Sequence, residues 1–289
     1  MKFGLIYANI GPFSEPHAAV QCAQAAEAAG FESIWTVEHT VVPVGYAPAY
    51  PYNASGRMPG PDDAPIPDPI VWLSFVAAAT TTIRLGTGVL ILPQRNPVVL
   101  AKALATLDHL SGGRMLLGAG VGWLKEEFDA IGIPFAERGH RADEAIALMR
   151  ALWREDRASY AGRFNSFEDC ICRPQPANGA IPIHIGGHTE AAARRAGRIG
   201  DGFFPAAGDR EQLADAFELV RSTAEACGRD PSAIELSGVA SGAVGPGALE
   251  EIAALAELGV ARVMLPALLF WKDPVDALAR YGEEVIARS

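Results

Sequence analysis

Short apolar runs alternate with alanine-rich or amphipathic segments along most of the chain. Each run has the length of a buried strand, and each segment after it carries apolar residues at helical spacing and ends near glycine or a polar turn. The pattern predicts strands at 2–8, 32–39, 83–91, 114–120, 181–187, 201–206, 233–240 and 261–266. It predicts helices at 15–30, 69–82, 97–111, 189–200, 210–227, 247–258 and 274–287.

Eight strands with helices between them, in a chain of 289 residues, are typical of an α/β TIM (β/α)8 barrel. A doubly wound open sheet is the competing fold, but the first strand–helix turn has no GxGxxG. We expect one barrel domain over 1–289 with two departures. The loop 40–68 is rich in proline and long enough to be a lid, and an insertion at about 123–180 contains helices at 123–131 and 137–154 and a hairpin at 158–176 that turns at 161–162.

Composition narrows the class of protein. Hydrophobic residues make up 49% of the chain and the net charge is −10, which predicts a packed globular protein and argues against nucleic acid or an anionic membrane as partner. The N-terminus resembles a first strand rather than a signal peptide, and no apolar run has membrane length, so a reducing cytoplasm is expected. Cys22 and Cys227 are expected to be small apolar helix residues. Cys170 and Cys172 should share one side of a strand, so neither a disulfide nor a metal site is predicted.

The active site of such a barrel lies at the carboxyl ends of its strands. The second strand ends in "SIWTVEHTVVP", where alternation puts Glu38 and His39 on opposite sides. One side chain can therefore face the mouth while the other braces a loop. His39 suits proton transfer because its ordinary pKa is near neutral, although a histidine here can also be a plain hydrogen-bonded loop residue.

Three other strand ends are glycine-rich, in "GTGV", "GAGVGW" and "GGHT". Glycine lets a flat molecule or a phosphate approach the backbone closely, and Gly88 also permits a bulge. Thr189 is expected to cap the helix that follows. The first N–H groups of that helix can bind an anion, or the segment is an ordinary strand–helix turn. The sequence contains neither GxSxG nor HExxH, and no carboxylates cluster around a histidine in it. This combination favours a bound redox cofactor over covalent or metal chemistry.

These residues resemble a known family. The stretches "GFESIWTVEHTVVP", "IRLGTGVLILPQRNPVVLAKALATLDHLSGGRMLLGAGVGWLKEEFDAIGIPFAERG" and "IPIHIGGHTEAAARRAGRIGDGFFP" are similar to the bacterial luciferase-like monooxygenase superfamily. Within it they most resemble the F420-dependent luciferase-like oxidoreductases. The resemblance runs from residue 2 to about 270 and implies a TIM barrel with insertions that holds a flavin or deazaflavin in its mouth.

The resemblance also implies roles for individual residues. His39 takes the family's recurrent catalytic position, with Glu38 beside it in the cofactor site. A non-prolyl cis peptide between Gly88 and Val89 would support the back of the cofactor ring. The full set of cofactor-binding positions implied is Glu38, Thr87, Gly88, Val89, Gly120, Val121, Gly122, Trp123, Gly186, Gly187, His188 and Thr189.

One departure bears on the choice of cofactor. The FMN-using luciferases carry an arginine just after strand four for the flavin phosphate, and this chain has Val121 there. That favours F420, an obligate hydride carrier, acting on a small organic substrate. The alternative is an FMN-dependent monooxygenase that uses O2 and a separate flavin reductase, with His188, Thr189 or Arg57 in place of the missing arginine. A non-catalytic flavin-binding barrel is a further alternative, and a homodimer is expected from the family.

Overall fold

A computed structural model describes residues 1–53, 55–205, 208–240 and 242–289. Residue 206, the last of the sixth predicted strand, and residue 54, within the predicted lid, lie outside the described residues.

Eight parallel strands close into a barrel, which confirms the predicted fold. The ring runs β1 (Lys2–Ile6), β2 (Ser33–Thr36), β3 (Arg84–Thr87), β5 (Met115–Gly120), β8 (Ile183–Gly186), β9 (Gly202–Phe204), β10 (Glu235–Val239), β11 (Arg262–Pro266) and back to β1. The short β4 (Leu90–Ile91) pairs alongside β5 and follows β3 in the chain.

Helices cover the outside of the barrel. Proline at the first helical position and a side-chain cap begin several of them; Asp68, Asn96 and Asp273 each accept backbone N–H bonds in this way. The helix bounds are α1 Pro16–Ala28, α2 Pro69–Ala77, α3 Pro97–Leu110, α4 Lys125–Ala130, α5 Arg138–Arg154, α6 Glu190–Ile199, α7 Arg210–Ala226, α8 Ala248–Glu257 and α9 Pro274–Glu284. None of these helices is both long and apolar enough to cross a membrane.

Between β5 and β8 the chain forms the predicted insertion, which contains more than the single helix that usually joins two barrel strands. It forms α4, a short 3-10 turn at Phe135–Glu137, α5, and an antiparallel hairpin of β6 Ala158–Ala161 and β7 Ser166–Cys170. Glu144 of α5 holds the hairpin turn, because its carboxylate accepts the backbone N–H groups of Phe164 and Asn165 at 3.0 and 2.7 Å. The hairpin is thereby fastened to α5, the long helix of the insertion.

A large indole fills the barrel interior. Trp35 of β2 is 1% exposed, and its neighbours Gly4 and Gly86 have no room for a side chain. A Cβ at Gly86 would lie 2.2 Å from the indole, and one at Gly4 would lie 3.0 Å from its Nε1. His184 stands next to Trp35, with ring centroids 5.7 Å apart. Tight packing of these rings against glycine closes the lower part of the barrel and leaves the mouth open.

Several boundaries differ from the predicted ones. The predicted strand 83–91 breaks after Thr87, where the Gly88–Val89 peptide is cis, as the resemblance implies. Helix α2 ends at Ala77, because the Thr81, Thr82 and Ile83 N–H groups bind the Glu27 carboxylate instead of continuing the helix. Of the two residues predicted at the hairpin turn, Gly162 lies in it and Ala161 is the last residue of β6. Cys22 is buried in α1 as expected, whereas Cys227 caps α7 in an exposed position. Cys170 is the last residue of β7, so Cys172 lies beyond the strand that was expected to hold both cysteines.

Candidate functional site

A cavity of about 900 Å³ opens at the carboxyl ends of the barrel strands. That volume is typical of a site for a small molecule or cofactor. Thr87 is the exception among the predicted site residues: it is fully buried below the cavity and donates to Gly118 O at 2.8 Å. The predicted site residues in the cavity wall are Glu38, His39, Gly88, Val89, Gly120, Val121, Gly122, Trp123, Gly186, Gly187, His188 and Thr189.

Glu38 braces the backbone around the cis peptide. Its Oε2 accepts the Ile91 N–H at 2.6 Å, and its Oε1 accepts both Nε and Nη2 of Arg95. Arg95 also reaches the Asp68 carboxylate at 2.8 Å, at the start of α2. The Glu38 carboxylate is thus occupied by protein donors, which fixes the β4 connection and the end of the loop 40–68.

His39 points the other way, into the cavity wall. Its Nδ1 lies 3.2 Å from Oε2 of Glu127, and its ring meets Trp123 edge-on with centroids 6.0 Å apart. The histidine side chain is 11% exposed and the glutamate side chain 1%. A histidine that has one nitrogen on a buried carboxylate and lines a cavity is arranged to exchange a proton with a bound molecule.

The loop 40–68 forms an aromatic wall over the cavity. Tyr50 packs against Trp123 and Tyr52, with ring centroids 5.3 Å apart in each pair. Tyr52 then meets His188 at 5.0 Å. Burial raises the pKa of Tyr52 to about 12, so its hydroxyl stays neutral and can donate a hydrogen bond. These rings bridge from the His39 side of the mouth to the start of α6.

The loop is anchored at its base. Asn9 donates to Val37 O at 2.8 Å and to Pro67 O at 3.1 Å, and accepts the Val37 N–H at 2.8 Å. Glu127 accepts the Thr40 N–H at 2.5 Å, and Glu126 accepts the Ala47 N–H at 3.0 Å. Both ends and one interior point of the loop are therefore fastened to the barrel rim.

Val89 forms the floor of the cavity, and two predicted glycines make room for it. A Cβ at Gly120 would lie 2.4 Å from Val89 Cγ2, and one at Gly186 would lie 2.3 Å from Val89 Cγ1. The sequence interpretation assigned these glycines to the close approach of a ligand. The structure gives them a different physical reason: they let the Val89 side chain project across the barrel from the cis peptide.

Basic side chains gather at one end of the cavity. Arg138 starts α5 and donates from Nε to Gly122 O at 3.3 Å, and Arg195 of α6 bonds to the Asp143 carboxylate. Thr189 caps α6 by accepting the Ala192 N–H at 3.3 Å. The Arg138 guanidinium and the N-termini of α5 and α6 favour an anion at this end, whereas the Arg195 charge is offset by its ion pair with Asp143. Arg57 contributes elsewhere, since it donates to Tyr46 O at 2.9 Å and stacks on the Tyr46 ring.

Some site residues were missed in the sequence. Glu127 is separated from His39 by 88 positions, so its contact needed the barrel to be seen, although "WLKEEF" follows a strand end directly. Arg138 and Arg195 looked like ordinary helix charges. Tyr7 follows β1 directly, and its left-handed backbone, with φ of 63°, brings it into the cavity wall.

Comparison with known proteins places this site in a family. The luciferase-like monooxygenase family profile matches residues 4–272. An uncharacterized protein of Mycobacterium tuberculosis is 33% identical over 267 residues, which is 91% of each chain. An F420-dependent glucose-6-phosphate dehydrogenase of Kineococcus radiotolerans is 33% identical over 216 residues, covering 73% of this chain and 59% of the relative.

A solved structure shares the fold. An F420-dependent secondary alcohol dehydrogenase in complex with an F420–acetone adduct superposes with a TM-score of 0.79 at 19% identity, over 100% of this chain and 99% of the other. The same barrel and the family profile across nearly the whole chain agree with each other. The chain therefore belongs to the luciferase-like monooxygenase family and is an oxidoreductase built on a TIM barrel.

Proposed function

We propose that this protein is an F420-dependent oxidoreductase that moves a hydride to or from a small organic substrate. The observation that carries the proposal is His39 in the wall of a large cavity at the barrel mouth, backed by a buried carboxylate. The F420-dependent dehydrogenase of Kineococcus radiotolerans supports this choice of cofactor, although this chain spans only 59% of its length.

The cavity fits such a group. Its floor is the apolar Val89, its wall carries Tyr50, Tyr52 and Trp123 for a planar ring, and its basic end suits a phosphate. Val89 and Gly88 would lie against the ring, while His188 and Thr189 with Arg138 would hold the anionic part. When bound, the deazaflavin supplies a ring carbon that accepts or releases a hydride.

The protein's own residues would supply the rest of the chemistry. His39 would take a proton from the substrate as the hydride leaves, or return it in the opposite direction. The loop 40–68 would exclude water from the reacting atoms, because its tyrosines cover the cavity between His39 and His188. The preferred substrate is then a small molecule whose reacting carbon gains or loses both a hydride and a proton.

FMN is the second candidate, and one observation favours it. Arg138 lies beside the Gly122 backbone, one residue from Val121, and it can replace the arginine missing from that position. With FMN the protein would be a monooxygenase that uses O2 and a separate flavin reductase.

The test is a titration of the purified protein with F420 and with FMN. We expect F420 to bind more tightly, and binding of FMN alone would overturn the proposal. With F420 bound, His39→Ala should reduce turnover by on the order of 100-fold and leave the cofactor Kd within roughly tenfold, because general acid–base catalysis contributes about that much. An unchanged rate would remove His39 from the mechanism.

A further inference from the structure

Glu127 is a fully buried acid that bonds to three groups of one chain segment. It lies in α4 and is 0% exposed. Its Oε2 faces His39 Nδ1 at 3.2 Å, and its Oε1 accepts the N–H groups of Thr40 and Val41 at 2.5 and 3.3 Å. A buried carboxylate is retained only where donors surround it, and these three donors belong to residues 39–41, which lead from β2 into the loop 40–68.

The proton distribution follows from these contacts. Burial alone would raise the pKa of Glu127, but hydrogen bonds from His39, Gln94 and the Thr40 N–H together hold it below its ordinary value. An ionised carboxylate only accepts hydrogen bonds, so the His39 nitrogen facing it must carry a proton. Nε2 is left without a proton in the neutral ring and is the nitrogen available to the cavity.

We propose that Glu127 is the positioning residue of the site: it holds His39 in the Nδ1–H tautomer and orients Nε2 toward the substrate. The effect of this residue on turnover rests on the proposed function, whereas its effect on the tautomer does not. The same arrangement, in which a buried acid orients a histidine without exchanging protons with the substrate, is common in hydrolytic enzymes.

The chain offers a matched control in the next residue. Glu126 is also in the first turn of α4, and its Oε1 accepts the Ala47 N–H of the same loop at 3.0 Å. Its carboxylate thus bonds to the loop backbone rather than to His39. A change at Glu126 therefore perturbs the helix and the loop anchor, while a change at Glu127 perturbs both the anchor and the histidine.

Glu127→Gln should reverse the tautomer. The Gln oxygen would keep accepting the Thr40 and Val41 N–H groups, because an amide NH2 there would face two donors. Its NH2 would then face Nδ1, which must lose its proton, and Nε2–H would point into the cavity. The substituted protein keeps nearly the same shape but presents a donor where an acceptor is needed.

The experiment is nitrogen NMR of the protein labelled with 15N-histidine and without added cofactor, with His39→Gln used to assign the signal. We expect Nδ1–H for the wild type and for Glu126→Gln, and Nε2–H for Glu127→Gln. A wild-type Nε2–H tautomer, or an unchanged tautomer in Glu127→Gln, would overturn the proposal, and the wild-type measurement does so even if the variant fails to fold.

Turnover gives the second readout. Glu127→Gln should lower kcat by about 100-fold with an unchanged F420 Kd, while Glu126→Gln should stay within about threefold. Equal losses in both variants would indicate loop anchoring alone and would contradict the proposal. If the wild type does not bind F420, the proposed function fails, and the tautomer measurement still decides the role of Glu127.

Discussion

Val89 and Gly186 are coupled through one close contact at the cavity floor. A Cβ at Gly186 would lie 2.3 Å from Val89 Cγ1 but 3.5 Å from Val89 Cβ, so the conflict involves only the valine methyl. Gly186→Ala should therefore cost about 1–3 kcal/mol of unfolding free energy by overpacking, and a large part should be recovered when Val89→Ala is added. Urea unfolding of the two single variants and the double variant measures this coupling.

Gly247→Ala is the control, since a Cβ there meets nothing within 4 Å. We expect it to change stability by less than about 0.5 kcal/mol. Strict additivity of the Gly186 and Val89 substitutions would show that the glycine is not needed to accommodate the valine.

His184 makes the stability of the barrel depend on pH. Burial first, and then the nearby Arg262 charge, lower the pKa of His184 from 6.5 to about 4. The unfolded chain binds a proton on this residue below about pH 6.5, whereas the folded chain does so only near pH 4. Stability is therefore complete above that range and should fall steadily as the pH drops from 6.5 toward 4.

His184→Gln tests this, because it removes the titrating ring and leaves a neutral polar side chain. The urea midpoint of the wild type should fall between about pH 7.5 and about pH 5, and that of the variant should fall less. Burial would raise the pKa of Glu32 and of Glu235, but Arg262 holds both below their ordinary value, so these acids titrate at lower pH than the histidine of the unfolded chain. Parallel curves for the two proteins would mean that other groups cause the acid sensitivity.

At the residue scale, the sequence was informative where a role depends on local position. His39 and the glycine-rich strand ends follow buried strands directly, so the rule that barrel sites lie at carboxyl ends is enough to find them. Glu127, Arg138 and Arg195 lie on helices and resemble ordinary surface charges, and only the closed barrel brings them to the cavity. Thr87 is fully buried and donates to Gly118 O, so its predicted contact with the cofactor stays a prediction.

At the element scale, the loop 40–68 allows a deletion with little disturbance at its ends. The Tyr50 N–H donates to Gly56 O at 2.8 Å, so the intervening segment leaves and returns at one point. Replacing residues 51–55 with two glycines removes Tyr52 from His188 and keeps both anchors. Turnover should fall by on the order of tenfold while the melting temperature changes by less than about 3 °C, because the deleted contacts line the cavity.

Tyr52→Ala is the matching point variant for that deletion. It should produce most of the loss in turnover if the tyrosine ring is what covers the site. Normal kinetics with a normal melting curve in the deletion variant would rule out a lid role for this loop.

Element boundaries were predicted least well where a side chain competes with the backbone. The apolar pattern continues through 83–91, but the strand is interrupted at Gly88–Val89 and the Ile91 N–H donates to the Glu38 carboxylate. Helix α2 stops early because Glu27 binds the following N–H groups. Such partners are distant in sequence, so the local pattern of apolar residues cannot reveal them. The number and order of the strands depend on that local pattern and could therefore be predicted.

At the scale of the whole molecule, two neighbouring outer helices carry exposed apolar side chains among the described residues. Val71 and Phe75 of α2 are 69% and 50% exposed, and Val99 and Leu110 of the neighbouring α3 are 67% and 79% exposed. Apolar surface of this kind on adjacent helices is typical of a contact between proteins. It supports the expected homodimer, with these two helices in the interface.

The dimer prediction is tested by light scattering after size exclusion. The wild type should elute with twice the mass of the chain, and Val71→Glu with Phe75→Glu should elute as a monomer, because charges buried at an apolar interface lack partners. Ile171→Glu is the control: Ile171 is 66% exposed just after the β7 strand of the hairpin, and its substitution should leave the dimer intact. A wild type that is monomeric at every concentration would contradict the dimer. A dimer that persists with both charges present would show that its interface lies elsewhere.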